Sequence, residues 1–428
     1  MKFEVKSLVF ADTILPVIEL SQKNGQKEFV GINKINLFVD KEGIDFSSNN
    51  GNASISGRIE PLATDEIDFK FVEEGEVCVD ASQLRNALIS FHKDDNVEIE
   101  LKKVDASQEL FIRSCVDKEQ LQTISCFDTQ VDIPQVSSSF DKELTINKEV
   151  FTNAVNKVAF AFGYEKERGN GEFLYWVLRA KKDKLRFASG TSGIFAVMDV
   201  SGDKIYSSNK EFDIMFLNTH MPLLLNVLNK IKDEEITIKV SDPKTNYQIV
   251  VSSELFNIVL TGMNSSIEWI NENTVLDKDY PLKVVTKVSD WDYATKGVLA
   301  TFTPEMRKQG QPHKTIMEID KNKNIITTKS ENQIKSTRKI PILDGVFPVD
   351  GNNSYKSATY SDYLAHIASC WNKEGNIQME FSGDAGKKPI VVYFNAGEKV
   401  LDSKTLKRVD ITNGAVEKFV MFFVQTSF

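Results

Sequence analysis

Residues 79–101 read VDASQLRNALISFHKDDNVEIEL and contain the pattern that predicts the fold. Apolar residues recur at helical spacing from Leu84 to Phe91, and apolar and polar residues alternate from Val97 to Leu101. Asp80 or Ser82 can cap the helix start, because their side-chain oxygens accept hydrogen bonds from free backbone N–H groups. The stretch therefore predicts an amphipathic helix, a polar turn and a half-buried strand.

The same unit occurs twice more along the chain. Residues 218–240 and 361–381 each contain a capped apolar run at helical spacing, a polar turn and an alternating segment. The three predicted strands begin at Val97, Ile236 and Ile377, which are 139 and 141 residues apart. Self-similarity at a nearly constant spacing indicates a threefold internal repeat.

The beginning of the unit is repeated as well. A short alternating segment followed by a helical pattern occupies 3–17 and recurs 141 residues later, at 144–158. A weaker third version occupies 282–298. Pro16 lacks a backbone N–H, so we expect the first of these helices to end or kink there.

Alternating segments lie between the two helices of each copy. They predict strands at 35–39, 44–46 and 53–59, at 174–178, 185–187 and 193–200, and at 315–319, 325–327 and 334–340. Each copy is therefore predicted to be an α+β unit of strand, helix, strand meander, helix and further strands. Its two helices are expected to cover antiparallel sheet.

Two polar segments, 132–139 and 271–281, separate the copies. They predict domains at 1–135, 140–276 and 280–428, in agreement with a prior of about three domains for this length. The third domain is the longest, and we expect additional loops in it near 305–314 and 344–357.

The composition is that of a globular protein, with 41% apolar residues, 26% charged residues and a formal charge of −9. This charge excludes a uniformly basic nucleic-acid coat but allows a local basic surface. The four cysteines form no CxxC pair, which favours a reducing compartment. The first residues do not resemble a signal peptide, and no apolar stretch approaches the length of a membrane span. We therefore expect a cytoplasmic protein.

Motifs for catalysis are missing from the sequence. The four histidines form neither HxxxH nor HExxH, and there is no Walker A loop or GxGxxG. Residues 189–193 read SGTSG, which does not match GxSxG, and acidic runs such as 233–235 are typical of solvated turns. We therefore predict a binding protein without enzymatic activity, metal or cofactor. An enzyme with an undetected site is the least favoured reading.

The threefold repeat resembles the bacterial DNA polymerase III β subunit, the sliding clamp, over nearly the whole chain. The opening MKFEV is similar to the family's first strand, and GEVCVDASQL at 75–84 is similar to its passage into the second helix. Residues 144–168 are similar to the start of its middle domain, and the strand at 419–424 lies where the family ends. The resemblance implies three clamp-type domains per chain.

In the family, partner peptides dock in an apolar groove. The segments that build it depart from the family pattern at 188–195, 266–269 and 422–428, which favours a divergent clamp of phage or mobile-element origin. The resemblance implies a groove formed by Ile194, Phe195, Ile267, Trp269, Val420, Met421, Phe422, Phe423 and Val424. The strand at 419–424 can also simply complete the third domain's sheet, and the sequence leaves both roles open.

The resemblance also implies that helices line a central hole and that basic residues contact duplex DNA through its phosphates, without reading bases. The candidate DNA-binding residues are Lys6, Lys23, Lys27, Arg85, Lys93, Lys148, Lys157, Tyr164, Lys166, Arg168, Lys230, Lys232, Lys287, Lys296 and Lys373. Each of these lysines could equally be a solubilising surface residue.

Six domains form the family's ring, so three per chain imply a head-to-tail homodimer. It would be joined through edge strands, one near Glu119–Cys126 and one in the third domain. The implied partners are double-stranded DNA, bound independently of sequence, and a replicative polymerase and clamp loader that dock through short apolar peptides. The predicted function is a processivity factor that encircles duplex DNA. The alternative is a non-ring replication protein, for binding or scaffolding, built from the same units.

Overall fold

The structure is a computed structural model of the chain. It describes residues 1–22, 31–60, 67–92, 94–137, 139–161, 175–182, 184–190, 194–201, 206–217, 219–241, 248–261, 280–301, 314–330, 336–370, 373–381, 389–396, 398–400, 409–411 and 415–423.

The first repeat begins with a strand, an interrupted helix and a strand meander. Its elements are β1 (Lys2–Lys6), α1 (Ser7–Thr13), α2 (Leu15–Gln22), β2 (Lys34–Asp40), β3 (Gly43–Asn49), β4 (Ala53–Ile59), β5 (Lys70–Glu73), β6 (Gly75–Asp80), α3 (Ala81–Ile89), β7 (Asn96–Val104), β8 (Ser107–Ser114) and β9 (Leu121–Phe127). Because α1 ends at Thr13, Pro16 lies in the first turn of α2, where a missing N–H costs no intrahelical bond. The expected interruption of this helix is confirmed. Asp80 caps α3 by accepting a hydrogen bond from the Gln83 N–H at 2.8 Å.

The second repeat has the same order of elements. They are β10 (Phe140–Asn147), α4 (Lys148–Val158), a 3-10 turn (Ala159–Ala161), β11 (Tyr175–Ala180), β12 (Leu185–Gly190), β13 (Ile194–Ser201), β14 (Tyr206–Ser208), β15 (Phe212–Leu217), α5 (His220–Leu228), β16 (Glu235–Ser241), β17 (Gln248–Ser252) and β18 (Phe256–Thr261). A cap from residues 218–220 was expected. Asn218 lies outside the described residues, and Thr219 does not provide the cap, because its φ and ψ of −69° and −26° are helical and its side chain makes no cap hydrogen bond.

The third repeat completes the series. Its elements are β19 (Leu282–Lys287), α6 (Val288–Leu299), β20 (Lys314–Asp320), β21 (Ile325–Ser330), β22 (Thr337–Pro341), β23 (Asp344–Val346), β24 (Ser354–Tyr360), α7 (Ser361–Cys370), β25 (Asn376–Phe381), β26 (Ile390–Ala396), β27 (Val409–Ile411) and β28 (Ala415–Phe423). The meander strands predicted in the three copies fall on β2–β4, β11–β13 and β20–β22, apart from Ser336, which precedes β22, and residues 174, 193, 334 and 335, which lie outside the described residues.

The chain divides into two compact units, and each has its own large sheet. The first unit contains Met1–Thr152, Ser207–Lys210 and Phe216–Ser265, and the second contains Asn153–Tyr206, Glu211–Met215 and Ser266–Phe428. The sheet of the first unit has the order β14-β10-β16-β17-β18-β4-β3-β2-β6-β9-β8-β7-β1-β5. The second unit has the sheets β15-β11-β12-β13-β28-β26-β25-β19-β23 and β22-β21-β20-β24, and β27 pairs with β28. The strand pairs described are antiparallel throughout.

Helices pack in pairs and on these sheets. In the first unit α1 contacts α3, and α2 contacts α5 and the strands β2, β3 and β4. In the second unit α6 packs against α7. The helices turn apolar residues inward: Phe10 in α1, Leu84 in α3 and Trp291 in α6 are fully buried. An α+β architecture of antiparallel sheets with few helices is therefore confirmed, whereas the division into three domains remains a prediction.

The polar segment predicted as a linker lies across strands of two repeats in the first unit. The Asn36 side chain in β2 exchanges two hydrogen bonds with the backbone of Val131, at 2.7 and 2.9 Å. The Gln248 side chain in β17 donates to the Gln135 carbonyl at 2.8 Å and accepts from the Ser137 N–H at 2.9 Å. Residues 131–137 have no regular secondary structure, so these side chains satisfy part of the backbone there.

Candidate functional site

The repeats are joined by strand pairing, and the first joint lies in the first unit. There β4 of the first repeat pairs with β18 of the second, with Ser56 opposite Asn257 and Gly57 opposite Phe256. The rings of Phe46 and Phe256 approach to 5.8 Å between centroids. A Cβ at Gly57 would lie 2.5 Å from the Phe46 ring, so only glycine leaves room for this ring at the joint.

The second joint lies in the second unit. There Ile194–Ser201 of β13 lie opposite Val416–Phe423 of β28. The ring of Phe160, in the turn after α4, stacks on His366 of α7 with centroids 4.7 Å apart. The first joint has a comparable helix contact, between α2 and α5. Each joint therefore combines a strand pair with a contact from the first helical region of one repeat to the second helix of the next.

Equivalent residues on one side of the joints are found by following paired strands across each meander. We start from equivalent residues of the first meander strand in each repeat, β2, β11 and β20, and cross two ladder pairs. This leads to Ser56 in the first repeat, Val197 in the second and Thr337 in the third. The first and third starting points correspond because Lys34 in β2 and Lys314 in β20 both pair with the residue that precedes the second helix of their repeat. The first and second correspond by the 141-residue repeat spacing.

Equivalent residues on the other side are found in the same way. Starting from the third residue of β7, β16 and β25, the strands that follow the second helix of each repeat, two ladder pairs lead to Leu121, Asn257 and Val420. Ser56 opposes Asn257 in the first joint, and Val197 opposes Val420 in the second. The two joints therefore have the same register with respect to the repeat.

One equivalent pair, Leu121 and Thr337, has no partner strand among the described residues. β22 is the end strand of its sheet, and Leu121–Ser125 of β9 pair with β8 alone. We call β22 and Leu121–Ser125 the free edges. One of them coincides with the edge segment predicted at Glu119–Cys126, and the other belongs to the third repeat, as predicted.

The predicted DNA-binding residues fall into three groups. Those with exposed side chains are Lys230, Lys232, Lys287, Lys296 and Lys373. Those with partly buried side chains are Lys6, Arg85, Lys148 and Lys157. Those outside the described residues are Lys23, Lys27, Lys93, Tyr164, Lys166 and Arg168. Their role in DNA binding remains a prediction.

Two of the exposed lysines share a carboxylate that sequence reasoning missed. Asp292 on α6 accepts hydrogen bonds from the Nζ atoms of Lys296 at 2.8 Å and Lys373 at 3.0 Å. The hydrogen bonds from these two lysines hold the pKa of Asp292 below its ordinary value. The i,i+4 spacing of Asp292 and Lys296 was the available signal, whereas Lys373 is 81 residues from Asp292. The three residues together carry one net positive charge.

The residues predicted to form the partner groove lie partly at the second joint. Ile194 and Phe195 are buried in β13, opposite Phe423 and Phe422 in the ladder. Ile267, Trp269 and Val424 lie outside the described residues. β28, which includes Val420 and Met421, lies between β13 and β26, so this strand completes the sheet of the third repeat. Its role in a groove remains a prediction.

Within the described ranges, no group of three or more His, Cys, Asp or Glu side chains is arranged to hold a metal ion. In the same ranges, no helix combines the length and apolar character needed to cross a membrane.

The fold built from these repeated units is similar to that of solved DNA polymerase III β subunits and sliding clamps. The chain is similar to the DNA polymerase III β chain of Streptococcus pneumoniae, with a TM-score of 0.76 and 13% identity over 100% of both chains. It is also similar to the sliding clamp of Bacillus subtilis, with a TM-score of 0.76 and 12% identity over 100% of this chain and 99% of that one. For the β subunit of Thermotoga maritima the TM-score is 0.72 and the identity 14%, over 100% of this chain and 99% of that one.

The protein thus has the fold of the DNA polymerase III β subunit, and the resemblance predicted from the threefold repeat is confirmed at the level of the fold. No family model and no curated protein sequence matches the chain.

Proposed function

We propose that the protein is a DNA sliding clamp, which encircles duplex DNA as a head-to-tail dimer and tethers a replicative polymerase. The proposal includes three clamp domains per chain, at 1–135, 140–276 and 280–428. The hold on DNA is mechanical, so the protein needs no catalytic group, metal or cofactor for it.

The free edges are the observation that supports this proposal best. Two joints between successive repeats have one register, and the free edges, Leu121–Ser125 of β9 and β22, are an equivalent pair that lacks a partner strand within the described part of the chain. Exposed strand edges are liable to pair with other chains unless they are covered. A second copy of the chain supplies the matching edge in each direction, so two identical joints between β22 of one subunit and β9 of the other close a ring.

The helix contacts at the two known joints extend this argument. In both, the first helical region of one repeat contacts the second helix of the next. The same rule places α6 against α3 of the partner subunit. Ile89 at the end of α3 is 40% exposed and Tyr293 on α6 is 60% exposed, so each surface offers apolar area to bury in such a contact.

The exposed lysines supply the proposed contact with DNA. Lys230 and Lys232 follow α5, Lys287 precedes α6, Lys296 lies on it, and Lys373 follows α7. Their attraction to phosphates comes from counterion release and reads no bases, which suits a protein that must slide. The net charge of −9 is compatible with this arrangement if acidic residues collect on other faces.

The partner groove belongs to the same proposal. Ile194 and Phe195 adjoin the C-terminal end of β28 in the ladder, and this arrangement supports a groove at the second joint. We propose that a replicative polymerase and a clamp loader dock there through short apolar peptides, as the resemblance implies.

A cross-link chosen from the register tests the dimer. Directly opposed residues in an antiparallel ladder have Cβ atoms about 4.5–5.5 Å apart, near the spacing that a disulfide bridges. We expect Leu121→Cys/Thr337→Cys to form a covalent dimer on mild oxidation, in a Cys115→Ser background that removes an exposed thiol. The matched control, Leu121→Cys/Lys339→Cys, moves one cysteine by two residues on the same face and should cross-link poorly. Equal yields from both pairs, or a monomer in solution, would favour the non-ring alternative.

Retention on circular DNA tests the function itself. Two disulfides turn the dimer into a covalent circle, so oxidation in the presence of nicked circular duplex should trap some rings on it. Those rings should stay attached in detergent and high salt, which strip direct phosphate contacts, and should leave when the circle is cut. If linear and circular DNA retain the cross-linked protein equally, the protein does not encircle DNA.

A further inference from the structure

Charged residues occupy equivalent positions beside the joints. In the second joint, Asp199 of β13 stands opposite Lys418 of β28. Asp199 lies two residues after Val197, which is equivalent to Ser56 and Thr337. The residues equivalent to Asp199 are therefore Arg58 in the first repeat and Lys339 in the third. This position thus carries a cation in the first and third repeats and an anion in the second.

Two of these three residues are already paired within their own sheet. The Arg186 Nε lies 2.5 Å from Oδ1 of Asp199, and the Arg58 guanidinium lies 2.7 Å from Oδ2 of Asp45. Lys339 on β22 is exposed and has no ion-pair partner among the described residues. It is therefore a cation at the free edge that remains available for a second chain.

The register assigns Lys339 a partner of opposite charge. Continuing two residues from the pair Leu121 and Thr337 brings Glu119 opposite Lys339. Glu119 is exposed in the turn before β9, where its N–H donates to Oδ1 of Asp117 at 3.1 Å. Within the described part of the chain, its carboxylate has no ion-pair partner.

We propose that Lys339 and the partner subunit's Glu119 form an ion pair that selects head-to-tail pairing of the free edges. This inference rests on the proposed function, which supplies the second copy. An exposed pair adds little affinity of its own, so its effect is on the choice of partner edge.

Self-pairing of either edge opposes like charges. Two β22 edges bring the cations Arg338 and Lys339 of both chains into one ladder, and two β9 edges bring together the turns that precede them, in each of which Asp117, Lys118 and Glu119 carry a net charge of −1. Like charges directly opposite each other destabilise a strand pair. The charges therefore favour β22 with β9 and disfavour each edge with itself.

Charge reversal tests the inference by sedimentation. Lys339→Glu opposes two glutamates and Glu119→Lys opposes two lysines, so each variant has two mismatched joints per ring. At low salt we expect the dissociation constant of the dimer to rise about 5-fold per joint and so about 25-fold in all. The effect should shrink in 1 M salt. Lys182→Glu, an exposed lysine in another turn with the same change in net charge, is the control and should have no effect.

Two combinations restore the match. Mixing the two single variants should give a heterodimer in which both joints oppose lysine to glutamate, and the double variant should dimerise like the wild type. Single variants with wild-type affinity, or a double variant as weak as the singles, would overturn the ion pair while leaving the dimer intact. A wild-type chain that does not dimerise would instead refute the proposed function.

Discussion

His220 should make the stability of the first unit depend on pH. It begins α5, is 1% exposed, and its Nδ1 has no hydrogen-bond partner among the described residues. Burial penalises the charged imidazolium and lowers the pKa of His220 from 6.5 to about 4. Between these two values the unfolded chain binds a proton that the folded chain does not, so stability is lost as the pH falls from 6.5 towards 4.

The magnitude follows from the two pKa values. Each pKa unit corresponds to about 1.4 kcal/mol, so the complete loss below pH 4 is about 3 kcal/mol. At pH 5, where most of the unfolded chains are protonated and few folded ones are, the loss attributable to His220 is about 2 kcal/mol. Above pH 7 the group contributes no pH dependence.

Urea unfolding followed by circular dichroism at pH 7.5 and pH 5 measures this loss. In His220→Leu, which keeps the site apolar and removes the titrating group, the stability lost between the two pH values should be about 2 kcal/mol smaller than in the wild type. His92→Gln is the control, because that side chain is 68% exposed. Since α5 contacts α2 at the first joint, the hydrogen-exchange protection factors of both helices, corrected for the intrinsic rate at each pH, should fall together at pH 5. The same pH dependence in the wild type and His220→Leu would refute the reasoning.

Three further predictions concern ion pairs and the linker. Asp292→Asn frees Lys296 and Lys373 from their shared carboxylate, so direct DNA binding should strengthen and its dependence on salt should steepen. Titrations with DNA at several salt concentrations measure both effects. Unchanged binding would mean that these lysines do not face DNA. Asp199→Asn removes the carboxylate that pairs with the guanidinium of Arg186, which is 6% exposed. The free energy of unfolding measured in urea should fall by about 3 kcal/mol. A loss below about 1 kcal/mol would contradict a buried ion pair. Asn36→Ala removes both hydrogen bonds to Val131 and should lower the free energy of unfolding by about 1–2 kcal/mol. Proteolytic cleavage within 130–137 should become faster. Unchanged cleavage would mean that other contacts hold the linker.

The positions of helices and strands were readily predicted because they depend on local periodicity. The alternation at 97–101 corresponds to β7, and the helical spacing at 84–91 corresponds to α3, which Asp80 caps as expected. The interruption near Pro16 also follows from local geometry. The failure of the Thr219 cap is different, because the backbone there is already helical and the sequence does not encode that conformation in a short pattern.

The candidate site was only partly predictable. Sequence spacing indicated which lysines lie near helices, and the structure leaves five of them exposed. It could not show that Asp292 holds Lys296 and Lys373 together, because Lys373 comes from a different part of the chain. Nor could it show that Arg58 and Asp199 have partners in their own sheets while Lys339 and Glu119 have none among the described residues.

By itself the sequence determined the threefold repeat, the order of elements in each copy and the α+β class, because hydrophobic period and turn chemistry act over a few residues. The tertiary structure alone decided which strands of different repeats meet and in which register. Ser56 and Asn257, or Val197 and Val420, are roughly 200 residues apart, and their pairing depends on main-chain hydrogen bonds that any sequence can make. The register is set by which faces of two distant strands are buried together, a property of the assembled sheet that no local pattern contains.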